Sequence, residues 1–292
     1  MKGLITKGVG GFYFVRPEGA GGGVSYSCRA RGIFKKEGLT PTVGDLVDFE
    51  ALDEEDGVIN AILPRRNLFI RPPIANADRF IVMIAAAQPA PNLSVVDKLL
   101  VAAEMAGAEA MLCINKTELL NREELRRVTG IYEGLYPLIE ISCAENAGLD
   151  RLPPLLAGRK SALAGPSGVG KSTLINRLRG GTALETGAVS GRTERGRHTT
   201  RHVELFDTAG GGMIFDTPGF TSFAVSGADA AMLASFYPEM RERLGDCRFD
   251  DCRHLAEPGC AVRAALAEGR IAASRYASYV MQQQEIEKSN AY

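Results

Sequence analysis

The chain has 292 residues, 45% of them hydrophobic, enough to bury a substantial core in two or three domains. Its 34 Lys and Arg nearly balance 35 Asp and Glu, so any anionic partner must be met by a local basic patch and not by global charge. The opening MKGLITKGVG has no apolar h-region, and the run FIVMIAAA (residues 80–87) is far too short to cross a bilayer, which makes the cytoplasm the expected location. Six Cys do not suggest a disulfide scaffold in a chain of this size.

Residues 1–72 alternate short β-like runs with turns: GFYFV, GVSYSCRA, GDLVDFEAL and GVINAILP. Four or five strands at this spacing predict a small barrel. The Pro-rich segment RPPIANAD (residues 71–78) breaks the pattern and reads as a linker. A βα rhythm follows. Apolar strands RFIVMIAAA, AEAMLCINK, YPLIEISC and KSALAG are separated by helical stretches SVVDKLLVAAEMAG and NREELRRVTGIYEGL, the alternation of a mostly parallel sheet. Asn121 with Glu124 three residues on has the form of a capping pair. RHVELFD and GMIFD flank a Gly-rich tract and suggest a hairpin feeding a strand that stops at Asp216. From about residue 228 the pattern is helical, interrupted by a Cys/His segment and closed by a polar helix.

Gly165, Pro166, Ser167, Gly168, Val169, Gly170, Lys171 and Ser172 fit G-x-x-x-x-G-K-[ST], the phosphate-binding P-loop, and Thr173 continues it. The flanks agree: an apolar strand precedes the loop, and a helix follows with Leu174, Ile175 and Leu178 on one side. Backbone N–H groups would converge on phosphates at that helix start, with Lys171 on the β- and γ-phosphates and the Ser172 hydroxyl on Mg²⁺. Asp216 to Gly219, DTPG, stands at a strand end, where the carboxylate suits water-bridged Mg²⁺ and the glycine N–H a γ-phosphate. Between the two motifs lies polar, Arg-rich GRTERGRHTTRH (residues 191–202), a candidate switch loop with Thr199 or Thr200 as sensor.

Ahead of the P-loop, strand EAMLCINK runs into Asn115, Lys116, Thr117 and Glu118. In N-K-x-D loops the Asn meets the guanine carbonyl edge, the Lys stem lies along the base, and the carboxylate accepts from the ring N–H and amino group. Adenine lacks those donors, so a carboxylate selects guanine; here Glu118 takes the Asp position with one more methylene. Further on, Ser142, Cys143 and Ala144 match the S-A-x type of loop that backs the base. The order is thus base, base, phosphate, switch, switch, a circular permutation of the ordinary GTPase order, which a compact domain tolerates because its termini often lie close together. Cys247, Cys252, His254 and Cys260 form C-x₄-C-x-H-x₅-C, a closed Cys₃His set that suits one structural, tetrahedral Zn²⁺.

The order NKTE, SCA, GPSGVGKST, GRHTTRH, DTPGF, with a barrel before it and the Cys₃His set after it, resembles the ribosome small subunit-dependent GTPase family. The resemblance implies an α/β fold class: a circularly permuted P-loop GTPase domain over residues 73–228, flanked by an N-terminal OB-fold β-barrel over residues 1–72 that binds RNA and a C-terminal helical zinc-binding domain over residues 229–292. It also implies GTP and GDP as ligands, Mg²⁺, binding to the small ribosomal subunit and its rRNA late in maturation, and GTP hydrolysis stimulated there. The expected state is a monomer. Phe220 follows DTPG where Ras-like enzymes place a water-orienting Gln, and a phenyl ring cannot hydrogen-bond water. The family implies instead a switch-loop His, which maps onto His198, with Thr200 on Mg²⁺. Arg192, Arg195, Arg197 and Arg201 crowd that loop, where phosphate backbones or the nucleotide would meet them. The alternatives are a zinc-stabilised RNA-binding module using GTP as a switch ligand with incidental hydrolysis, and a P-loop ATPase, which NKTE disfavours.

Overall fold

In the computed structural model the described residues are 1–21, 23–70, 72–180, 203–217 and 229–290. The chain divides into two compact units. One comprises Met1–Phe80, Leu149–Leu163 and Lys171–Phe220; the other comprises Ile81–Gly148, Ala164–Gly170 and Thr221–Tyr292.

The first unit opens with β1 (Lys2–Val9), β2 (Phe12–Pro17), β3 (Tyr26–Ala30), the short α1 (Ile33–Lys36), β4 (Leu46–Ala51) and β5 (Asp56–Ile62). β1 is antiparallel to β2 and to β4, β2 to β3 and β4 to β5, while β3 runs parallel to β5. The ring therefore closes in the order β1-β2-β3-β5-β4, the five-stranded path of an OB-fold. Alternation drives it: in β4, Val47 and Phe49 point into the core while Leu46, Asp48 and Glu50 are exposed. Register shifts between Ile5 and Lys7 and between Asp48 and Phe49 bend the strands as a small closed barrel requires. Four of the five strands carry a clear sequence pattern; β1, diluted by Gly3, Thr6, Lys7 and Gly8, does not.

The segment RPPIANAD proves more than a linker. It contains β7 (Pro73–Ala75), antiparallel to β6 (Leu68–Ile70) in a two-stranded ribbon where Pro73 sits without having to donate to a central ladder. Then come β8 (Arg79–Ala85), α2 (Leu93–Met105), β9 (Glu109–Asn115), α3 (Arg122–Thr129), β10 (Leu138–Glu140), α4 (Leu152–Leu156), β11 (Lys160–Ala164), α5 (Lys171–Gly180), β12 (Glu204–Asp207) and β13 (Met213–Asp216). In the second unit β9 lies between β8 and β10 and is parallel to β10. β8 and β9 are buried almost throughout, as strands covered on both faces must be. In the first unit β11 is parallel to β13, β13 pairs antiparallel with β12, and Lys7 opposite Glu204 joins β12 to β1 of the barrel.

Asn121 and Glu124 form the expected capping box at the head of α3. The helix stops at Thr129, short of the stretch through Leu135 that the sequence pattern covers, and the turns after Gly130 bury Tyr132 and Tyr136. The chain ends with α6 (Pro238–Arg241), α7 (Ala261–Ala267) and α8 (Ala273–Asn290). Leu233, Tyr237, Met240, Val262, Ile271 and Tyr279 pack around Val101 of α2. Although α8 reads as polar, Arg275, Gln282 and Gln283 are buried on it, and Gln282 Nε2 donates to the Tyr237 hydroxyl at 2.7 Å.

Candidate functional site

The P-loop is a strand-to-helix turn between β11 and α5. Gly165, Gly168 and Gly170 take φ of +152°, +80° and +102°, a path closed to residues with a Cβ. At Gly170 a Cβ would stand 2.2 Å from Asn115 Nδ2, and at Gly165 it would stand 2.4 Å from the Met83 carbonyl oxygen. The NKTE loop and the start of the P-loop are bound to one another within the second unit. Asn115, 2% exposed at the end of β9, donates from Nδ2 to the Val169 carbonyl at 2.8 Å and accepts at Oδ1 from the Cys143 N–H at 2.9 Å. One side chain thereby fixes the phosphate loop and the SCA loop together. Ser142 is buried and accepts from the Glu145 N–H, Cys143 is buried, and Ala144 is exposed.

Lys116 adopts a left-handed backbone, φ +64°, and its ammonium donates to the Gln88 carbonyl. Glu118 is half-buried, and its Oε2 is shut off from water with no hydrogen-bond partner among the described residues. A carboxylate oxygen held in that state costs free energy until a donor meets it.

In the first unit, Lys171 opens α5 half-buried, and burial pulls its ammonium below the usual lysine range. Ser172 and Thr173 are exposed on the same first turn. Asp216 ends β13; burial pushes its carboxyl up, Arg179 pulls it down, and Glu204 adds to the rise. Pro166, Ser167 and Val169 complete the loop, with Val169 buried. His198, Thr199, Thr200, Gly219, Phe220 and the arginines at 192, 195, 197 and 201 lie outside the described residues.

The ligand atoms of Cys247, Cys252, His254 and Cys260 all lie within 4.8 Å of one another. His254 Nδ1 is 3.5 Å from Cys247 Sγ and 3.4 Å from Cys260 Sγ. A tetrahedron with metal–sulfur bonds near 2.3 Å has edges of about 3.8 Å, so this donor set fits a zinc ion. Its surroundings are built to hold it. The Ala261 N–H points at Cys247 Sγ and the Arg263 N–H at Cys260 Sγ, Tyr276 donates to the His254 carbonyl, and Tyr279 donates to that of Arg253. Burial pushes the Cys252 thiol up to about 12 and the His254 imidazole down. Burial opposes ionisation of Glu257, but the N–H groups of Arg253, Leu255 and Ala256 close on its carboxylate and hold it down to about 2.

Motif reading passes over Arg179, Gln88, Glu257 and Arg275. Arg179, Gln88 and Arg275 meet partners far away in sequence, and Glu257 closes a local turn that no motif marks.

An apolar strand leading through left-handed glycines into a helix, tied to a base-type loop that comes earlier in the chain, defines a P-loop nucleotide-binding protein of permuted order. The family model for the RsgA GTPase matches residues 62–226 and that for the RsgA N-terminal domain matches residues 2–59. The chain belongs to the RsgA family, whose catalytic domain is a GTPase. It is 42% identical to the small ribosomal subunit biogenesis GTPase RsgA of Alkaliphilus metalliredigens over 100% of this chain and 99% of that one, and 43% identical to the protein of that name from Carboxydothermus hydrogenoformans over 98% of both. Two crystal structures are similar at 33% identity: YjeQ from Thermotoga maritima, with a TM-score of 0.83 over 98% of both chains, and YloQ, described as a circularly permuted GTPase, with a TM-score of 0.81 over 99% of this chain and 95% of that one.

Proposed function

We propose that this chain hydrolyses GTP in the service of small ribosomal subunit maturation, that the subunit stimulates the hydrolysis, and that the chain meets the subunit's rRNA as a cytoplasmic monomer. The observation that carries the nucleotide assignment is Glu118 Oε2, buried without a donor in a loop whose Asn115 is already fastened to the P-loop. Guanine brings its N1–H and 2-amino group to such an oxygen; adenine has an unprotonated N1 and no 2-amino group. Asn115 positions the loops, Lys116 lies along the base, and Ser142, Cys143 and Ala144 back it. The turn from Gly165 to Gly170 and Lys171 holds the phosphates. Ser172, Thr200 and Asp216 would hold Mg²⁺, and the Gly219 N–H would meet the γ-phosphate. When bound, the cation neutralises the charge that builds on the phosphates. His198 positions the attacking water. Cys247, Cys252, His254 and Cys260 hold one structural zinc.

The ribosomal assignment rests on the names carried by relatives that match this chain end to end. It is tested by the GTP hydrolysis rate with purified small subunits, with large subunits and with neither. Stimulation by small subunits alone is expected; equal rates in all three overturn it. An unchanged stimulated rate in His198→Ala would remove that residue from the chemistry.

A further inference from the structure

Asp216 is already engaged. Arg179, on the last turn of α5, lies 3.0 Å from Asp216 Oδ2 through Nη2, and the same nitrogen donates to Glu204 Oε2 at 3.0 Å. The guanidinium lies 4.5 Å from the centroid of the Phe206 ring. Glu204 has a second cation at hand, Lys7 Nζ at 3.6 Å. All these groups belong to the first unit. Helical side chains lean toward the N-terminus of their helix, so Arg179 reaches back along α5 in the direction of Ser172.

Two carboxylates thus share one guanidinium. A carboxylate that serves a hydrated divalent cation cannot keep a guanidinium on the same oxygen, because the two positive charges would repel at a half-buried site. Glu204 and the Phe206 face already hold Arg179 from the other side, so leaving Asp216 requires no new partner.

We propose that Arg179 is the resting counter-ion of Asp216, and that it passes to Glu204 when a divalent cation takes up the Asp216 carboxylate. This rests on the reading of Asp216 as the Mg²⁺-side carboxylate. The arriving metal therefore competes with a cation that the chain supplies, and the Mg²⁺ requirement for nucleotide retention is set partly by a helix residue outside every motif.

The test is the dissociation rate of a fluorescent GDP analogue from the full-length chain across a Mg²⁺ titration, which needs no hydrolysis. Arg179→Met keeps an aliphatic stem over Phe206 and removes the charge. Its Mg²⁺ midpoint should fall about three- to fivefold, the scale of a partly exposed ion pair. Arg179→Lys should stay near wild type, and Arg177→Gln, on the same helix, should leave the midpoint unmoved. Should Arg179→Met not fold, Arg179→Gln carries the same prediction. An unmoved midpoint in the charge-free variant, with a raised one in Asp216→Asn, overturns the counter-ion role and leaves the Asp216 reading standing. An unmoved midpoint in Asp216→Asn overturns that reading itself. An equal fall in Arg177→Gln would reduce the effect to bulk charge and would also overturn the proposal.

Discussion

Arg275→Met should be among the most destabilising single changes in the second unit. Arg275 is fully buried; it donates from Nε and Nη2 to the two oxygens of Glu239 at 2.7 and 3.0 Å, and from Nη1 to Asp97 Oδ1 at 2.7 Å. Its guanidinium also lies 4.6 Å from the Tyr237 ring centroid. Removing it leaves two buried carboxylates without a counter-ion, at a cost of about 3–5 kcal/mol. At roughly 2–4 °C per kcal/mol for a protein of this size, the melting temperature should drop by about 6–20 °C in scanning calorimetry at pH 7.5. The two acids should not be equivalent. Burial pushes the Asp97 carboxyl up against the pull of Arg275, Ser278 and Tyr132, whereas Glu239 holds the bidentate pair. Asp97→Asn should therefore cost less than Glu239→Gln. The sign with pH follows. A carboxyl whose folded pKa is raised contributes its stability fully below the unfolded value near 4 and loses it as pH rises through the folded value, so the Arg275→Met deficit should shrink as the pH falls toward 5. A drop of less than about 3 °C at pH 7.5, or a deficit that grows on acidification, would refute the reasoning.

Asn115→Ala strands the Val169 carbonyl and the Cys143 N–H, each worth about 1–3 kcal/mol when buried unpaired, so affinity for a fluorescent GDP analogue should fall by about a hundredfold in an equilibrium titration. Glu118→Gln replaces one of the two carboxylate acceptors with a donor, and the preference for GTP over ATP in competition binding should fall at least about tenfold. Cys252→Ser should lower bound zinc, measured by atomic emission, from one equivalent toward none, and should raise amide exchange across residues 247–260.

Much of the site was legible because its chemistry requires particular residue types at fixed spacing. GPSGVGKST needs glycines where φ is positive, and the Cys₃His spacing is short enough to bring four ligand atoms within 4.8 Å of one another. The barrel was legible wherever burial alternates, as in Val47 and Phe49. What the sequence concealed depends on partners far away along the chain. Asp97 and Arg275, or Lys7 and Glu204, meet only through tertiary placement, and no local pattern marks them. Helix α3 ended early because the turns after Gly130 bury Tyr132 and Tyr136, which a helical pattern claims equally well. The linker hid a strand because Pro is discounted in strands, yet Pro73 at the start of β7 in a short two-stranded ribbon is spared the ladder bond it cannot make.

Residues 229–290 share their core with an earlier element of the second unit. That element is α2, which contributes Val101 to the same apolar cluster, Asp97 to the buried charge, and Lys98 and Glu104 to pairs with Glu285 and Arg241. The same helix begins at Leu93, capped by Asn92, just beyond the Gln88 carbonyl that receives the Lys116 ammonium. One helix thus has its start beside the base-type loop and its body in the core that the Cys₃His cluster adjoins. In an unpermuted chain that helix would follow the switch loops, whereas here it precedes them. The permutation therefore does more than preserve the order of the nucleotide motifs: it leaves residues 229–290 to pack against the helix that follows the first strand of the second unit, so the base-type loop and the Cys₃His cluster share a scaffold although more than a hundred residues separate them in sequence.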